Sequence, residues 1–223
     1  MNKNELISMI DYTLLKPIAS KEDINQFCED AIKYGFKTVF VNPHYVSYAH
    51  SILSRHNIKV GVPIGFSLGG ATTHVKTEET REAITNGAEE IDMLINLGAL
   101  KSAEYNVVKN DIKKVVKAAG DMTTKVIIET ALLTEEEKEI ATKMIIEAGA
   151  DFVKTATGFN GGGATIKDVR LLHSLADGKI QVKAAGGIKT YQDVIDMIEA
   201  GATRIGASGA VDIINGKTTN AEY

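Results

Sequence analysis

GAEEID (87–92), GADFVK (149–154) and GATRIG (201–206) share one pattern. Each opens with Gly-Ala after a stretch of helical periodicity and runs within two residues into a β-branched or aromatic segment. Glycine there can adopt the left-handed backbone that closes a helix, and the residues after it read as a strand. A helix-to-strand junction recurring at this spacing is a weak internal repeat with the period of a βα unit. Working outward, short strand-like runs occupy residues 10–15, 38–43, 59–66, 90–96, 125–130, 151–157, 181–187 and 204–208, with starts 21 to 35 residues apart. Helical patterns fill most of the gaps, at 21–34, 73–86, 103–119, 135–147, 166–176 and 191–199.

Helix starts and stops support this segmentation. Ser20, Thr134 and Thr190 each precede an acidic first turn, where a hydroxyl can cap free amides and the acids complement the helix dipole. Gly35, Gly87, Gly149 and Gly201 follow the helical stretches. The strands are near-continuous Val/Ile runs, as parallel strands covered by helices should be. Right-handed crossovers leave an open doubly wound sheet or a closed barrel. Eight units favour closure, and the first loop lacks the G-x-G-x-x-G of a dinucleotide fold. The expected fold is α/β: a single (β/α)8 TIM barrel spanning 1–223, with 215–223 as a mobile tail.

Composition narrows the function classes. The chain has 223 residues, 25 Lys+Arg against 29 Asp+Glu, and a formal net charge of −4. Such a field disfavours nucleic acid and anionic membranes, and with no Trp and 6% aromatics nothing suggests a base-stacking surface. No run approaches the ~18 uninterrupted apolar residues of a membrane span. A solitary Cys28 excludes an internal disulfide and, with no signal-peptide pattern, leads us to expect a cytoplasmic protein. Cys28 reads as core. His44, His50, His56, His74 and His173 show no metal-ligand spacing, so no metal is expected.

Three polar residues interrupt otherwise apolar strands: Asp92, Lys154 and Lys183. A lone inward Lys reads as snorkelling or salt-bridged. Two on neighbouring strands, ~4.8 Å apart, place like charges in one pocket. Desolvation and a cationic neighbour then lower the pKa of one amine. At pKa ~10.4 only about one lysine in two thousand is neutral at pH 7, whereas a drop of ~3 units frees roughly half. A neutral amine forms an iminium with an aldehyde or ketone, an electron sink for carbon–carbon cleavage. Asp92 can shuttle its protons, or it can be the anion of a structural ion pair.

Glycine-rich segments follow the last three strands: TGFNGGG from Thr157, AGG from Ala185 and GASG from Gly206. They can be plain tight turns, but in this fold such loops often cradle phosphate. The candidates are Gly158, Gly186, Gly187, Ser208 and Gly209. Asp11 can bond a substrate hydroxyl or cap a turn, and both readings stay open. Glu129 is the base an isomerase without an imine would use, and a non-catalytic phosphosugar-binding barrel is a third possibility.

The stretches EIDMLINLGALKS (90–102), ADFVKTATGF (150–159) and VKAAGGIKT (182–190), within a likeness running from IDYTLL (10–15) to GASG (206–209), make the chain resemble the deoxyribose-phosphate aldolase family. The resemblance implies a metal-independent class I aldolase on a (β/α)8 barrel, with no cofactor. It implies reversible cleavage of 2-deoxy-D-ribose 5-phosphate into D-glyceraldehyde 3-phosphate and acetaldehyde. By the same likeness Lys154 forms the Schiff base, Lys183 perturbs it and moves protons, and Asp92 is the acid/base partner. Phosphate falls to the Gly/Ser loops, a homodimer is expected, and Tyr223 becomes a candidate for gating or proton relay. Two departures touch substrate preference: Asn160-Gly161 where relatives often carry Ser-Thr, and Phe40 where some carry Cys.

Overall fold

The computed structural model describes residues 2–221. Eight parallel strands close in sequence order, and β8 pairs back onto β1. The strands are β1 (Ile10–Leu14), β2 (Thr38–Val41), β3 (Lys59–Ile64), β4 (Glu90–Leu94), β5 (Thr123–Ile127), β6 (Phe152–Lys154), β7 (Gln181–Ala185) and β8 (Arg204–Ala207). Around them run α1 (Lys3–Ser8), α2 (Lys21–Tyr34), α3 (Val46–Leu53), α4 (Thr73–Thr85), α5 (Leu97–Lys101), α6 (Tyr105–Ala119), α7 (Glu135–Ala148), α8 (Ile166–Ala176), α9 (Tyr191–Glu199) and α10 (Ala210–Ile214). This is the expected (β/α)8 barrel.

Local chemistry explains the boundaries. Ser20, Thr134 and Thr190 form capping boxes with Asp23, Glu137 and Asp193, each cap stabilising its helix by about 1 kcal/mol. At the repeated junctions Gly87, Gly149 and Gly201 have φ of 103°, 83° and 112°, a region costly for any residue with a Cβ. Every strand ends one to three residues before the expected limit. In β6 the cause is visible: the Thr155 hydroxyl donates to the Ala185 carbonyl at 2.9 Å and accepts from the Ala185 amide at 3.0 Å, which turns the chain out of the ladder. The helix expected from 103 starts at Tyr105 because Ala103 sits at φ 56°. Helix α3 was not anticipated, although Val46, Ala49 and Leu53 form one buried face.

Alternation along the strands divides the interior in two. Ile91, Met93, Val126, Val153 and Val182 belong to the apolar layer between strands and helices. Their neighbours Asp92, Lys125, Lys154 and Lys183 turn into the barrel, as their mutual contacts show. Outside the barrel, Lys76 of α4 binds Asp111 of α6 at 2.5 Å and the Leu94 carbonyl at 2.9 Å, tying two helices to the strand that carries Asp92. Residues 215–221 fold back over the barrel mouth. Thr219 is buried, and its amide donates to the Lys189 carbonyl at 3.0 Å. The expected tail from 215 is therefore packed at Thr219, and Tyr223 lies outside the described residues.

Candidate active site

Register brings the two lysines together. Lys154 and Lys183 are paired neighbours on β6 and β7, and both donate to the same oxygen, Oδ2 of Asp92, at 2.8 and 2.7 Å. The other carboxylate oxygen, Oδ1, accepts from Lys125 of β5 at 3.0 Å. Asp92 is fully buried and Lys183 nearly so, while Lys154 keeps 6% exposure, the most of the three.

The charges sort these groups. Burial is the largest influence on Lys154 and lowers its basicity. Asp92 opposes that effect, Lys183 and Lys125 reinforce it, and the amine falls from 10.5 to about 8. The sequence predicts desolvation and a cationic neighbour acting together; in the structure burial acts most strongly and Lys183 less than Asp92. For Asp92, burial acts to raise the pKa, but Lys125, Lys154 and Lys183 outweigh it and hold the carboxyl well below its usual range. Burial likewise works against the charge on Lys125, and Asp92, Asp11 and Glu90 overcome it and raise its pKa.

Below this trio lies a network that sequence reasoning missed. Lys125 binds Glu90 at 2.5 Å, and Arg204 binds Asp11 at 2.7 Å with Glu90 at 3.4 Å. Asp11 also lies 2.5 Å from Lys183. Its carboxylate is fully buried among three cations, Lys183, Arg204 and, at 3.8 Å, Lys125. Strand parity could have exposed the network, since Glu90 stands two residues before Asp92 on the same face. Lys125 escapes notice because the strand-like run reads as beginning there, whereas β5 begins at Thr123.

The phosphate candidates gather at the mouth. Gly158, Gly187 and Ser208 line a cavity of about 370 Å³ with Phe159, Ile188, Lys189 and Ala221. Lys189, a cation beside the expected anion site, was another omission. Gly158, Gly186 and Gly187 have φ of 87°, 88° and 74°. Gly186 sits just behind the cavity wall: its carbonyl accepts from Ala164, and a Cβ on Gly163 would come within 2.5 Å of that oxygen. The Ser208 hydroxyl donates to the Ala221 carbonyl at 3.3 Å. Gly209 is covered by Thr219, whose Oγ1 lies 2.1 Å from where a Cβ would stand. Gly209 thus serves the packing of the returning chain.

Glu129 is fully buried and committed to a loop. It accepts from the Thr157 amide at 3.2 Å, the Thr157 hydroxyl at 2.6 Å and Asn160 Nδ2 at 2.9 Å. Asn160 also donates to the Ser67 carbonyl at 2.7 Å, linking the loops after β3 and β6. Cys28 is buried, and burial pushes its thiol up to about 12, in keeping with a core role.

A family model described as DeoC/LacD family aldolase matches residues 6–214. The chain belongs to this aldolase family. It is 65% identical over 223 residues to deoxyribose-phosphate aldolase 2 of Oceanobacillus iheyensis, covering 100% of both chains. The deoxyribose-phosphate aldolase of Thermococcus kodakarensis is 53% identical over 97% of this aldolase and 98% of its own length. Among solved structures, the tetrameric deoxyribose phosphate aldolase from Aeropyrum pernix superposes with a TM-score of 0.90 at 33% identity, covering 96% of this aldolase and 91% of that chain. Among the described residues no helix is long and apolar enough to cross a membrane, and no three His, Cys, Asp or Glu side chains are grouped to hold a metal ion.

Proposed function

We propose that this aldolase reversibly cleaves 2-deoxy-D-ribose 5-phosphate to D-glyceraldehyde 3-phosphate and acetaldehyde, through an imine on Lys154 and without a metal or other cofactor. The observation that carries the reading is the pair of lysines on one buried carboxylate oxygen, with the less buried amine brought down to about 8. At pH 7 such an amine is neutral in roughly one molecule in ten, against about one in two thousand for a free lysine.

The neutral Lys154 nitrogen attacks the C1 carbonyl of the open-chain sugar, and the oxygen takes a proton. Loss of water then leaves an iminium. Removal of the C3 hydroxyl proton lets the C2–C3 bond break: C3 becomes the aldehyde of glyceraldehyde 3-phosphate, and the bonding pair passes through C2 to the nitrogen as an enamine. Protonation at C2 regenerates an iminium, and water releases acetaldehyde and the free amine. Asp92, held ionised, accepts and relays these protons, while the Lys183 ammonium beside it is the donor. Gly158, Gly187, Ser208 and Lys189 bind the phosphate, with Gly186 supporting that wall; the amides and hydroxyl supply donors and the ammonium supplies charge.

The reading is tested by incubating the protein with acetaldehyde and borohydride, and by assaying cleavage of deoxyribose 5-phosphate with and without EDTA. A reduced two-carbon adduct on Lys154 and EDTA-insensitive turnover are expected. Trapping that leaves Lys154 unmodified would refute it. A cytoplasmic setting and a self-associated state belong to the same proposal, and sedimentation of the purified chain reads the latter directly.

A further inference from the structure

Two lysines share Oδ2 of Asp92, yet the proposed chemistry needs the neutral one to be Lys154, so something must separate them. The charged groups facing the pair come from four strands. Asp92 of β4 touches both, and Lys125 of β5 is a like charge held by Asp92 and Glu90. Asp11 of β1 adds a second anion to Lys183 only, and Arg204 of β8 occupies the other oxygen of Asp11.

An apolar neighbour also faces the pair. Phe40 of β2 is buried in the barrel, and its ring centroid lies 3.9 Å from Lys183 Nζ, 4.7 Å from Lys125 Nζ and 5.8 Å from Lys154 Nζ. An aromatic face attracts a cation with a strength that fades out to ~6 Å and grows where water is excluded. This ring therefore holds Lys183 well and Lys154 at the edge of its range. Its placement is built in: a Cβ on Gly61 of β3 would come within 2.4 Å of Phe40 Cζ, so only glycine lets the ring lie where it does.

We propose that Phe40 is a positioning residue that keeps Lys183 the charged member of the pair and so directs imine formation to Lys154. The inference rests on the Lys154 imine proposed above. The two one-proton states, neutral Lys154 with charged Lys183 and the reverse, differ by where a single proton sits. The ring enters that balance only through its unequal hold on the two cations, which for a dry site amounts to roughly a tenfold bias.

The test changes the ring's electrons and leaves its shape. 3,5-Difluorophenylalanine is placed at position 40 alone, with Phe40→Leu as a second variant. Each protein is treated with acetaldehyde and borohydride, and the adduct is assigned by peptide mapping to Lys154 or Lys183. The share on Lys183 should rise by roughly three- to tenfold in the fluorinated protein. An unchanged partition in that protein, folded by circular dichroism, overturns the inference, and so does a redistribution confined to Phe40→Leu, which would assign Phe40 to packing alone. Absence of any adduct on Lys154 in the unaltered protein overturns the imine reading itself and this inference with it, a result distinct from an unmoved partition.

Discussion

Replacing Lys183 with leucine removes one ammonium from Oδ2 of Asp92 and leaves Lys154 as the remaining donor to that oxygen. Two unit charges ~5 Å apart at an effective dielectric of ~20 repel by about 3 kcal/mol, equivalent to roughly two pH units. The Lys154 amine, now near 8, should therefore titrate at roughly 9 to 10. It should not return fully to 10.5, because burial ranks ahead of Lys183 among the causes of its shift, and Lys125 stays in place. The neutral amine is the reactive form, so raising its pKa moves the acidic limb of imine formation to higher pH. At pH 7 the rate should fall by about 10- to 100-fold and recover toward pH ~10. Rapid-quench borohydride trapping with acetaldehyde measures this step apart from turnover, which should stay low throughout because the proton donor is also gone. A limb within about 0.3 pH unit of the parent would refute the electrostatic coupling, and a limb at the free-lysine position would refute the primacy of burial.

Asp92→Asn removes the anion that favours charge on Lys154, so the imine-forming limb should move below about 8 while turnover falls by ~10²-fold or more; a limb that moves upward contradicts the assignment. Glu129→Gln replaces an acceptor of the Thr157 amide, Thr157 hydroxyl and Asn160 with a group that cannot accept from all three. Its KM for deoxyribose 5-phosphate should rise roughly tenfold, with the unphosphorylated sugar unaffected; equal losses on both would show that the loop does not serve the phosphate. Asp11→Asn leaves Arg204 and Lys183 short of a buried anion and should cost about 3–5 kcal/mol in a denaturant titration. Burial opposes the Asp11 charge, but Lys183, Lys125 and Arg204 lower its folded pKa. Its contribution is therefore fully present above the unfolded value of ~3.9 and is lost as pH falls through the folded one. The parent's melting temperature should drop more steeply below pH ~4 than the variant's, and parallel curves would refute that role.

What was legible in the sequence follows from what local chemistry dictates. Capping hydroxyls, helix-ending glycines and β-branched runs act over a few residues, so the eight units and three helices (21–34, 166–176 and 191–199) read true to the residue. Asp92, Lys154 and Lys183 stood out because each is polar within an apolar strand, and closure of the barrel brings them to one oxygen. Lys125, Glu90 and Arg204 carry equal charge in the same interior yet escaped notice. Each lies at or near a strand's entry, where a charged residue looks like a solvated edge. Strand parity puts Glu90 on the face of Asp92, but whether such an entry points into the barrel or to solvent is set by the stagger of the closed barrel, a long-range property. The packing of Thr219 over Gly209 depends on a return of the chain from α10, and nothing within either segment announces it.

The omitted residues change how the site is understood. Ion-pair contacts join Asp11, Glu90 and Asp92 with Lys125, Lys154, Lys183 and Arg204 in the barrel interior. Three formal anions face four bases, so the group is electrically balanced only when one base gives up its proton. An unbalanced charge in a dry interior is far costlier than a paired one. Among the described residues Lys154 is the base with the fewest anions, touching Asp92 alone, whereas Lys183 and Arg204 touch two carboxylates each and Lys125 three. The proton surplus is therefore discharged at Lys154, which turns a structural network into the source of a nucleophile. The same imbalance acts later in the cycle. An iminium on Lys154 restores the surplus positive charge; cleavage of the carbon–carbon bond sends electrons to the nitrogen, and the surplus leaves the site once Asp92 has relayed the C3 hydroxyl proton outward. Electrostatic relief thus favours the neutral enamine over the iminium before it, on the side of the bond-breaking step where an aldolase needs it.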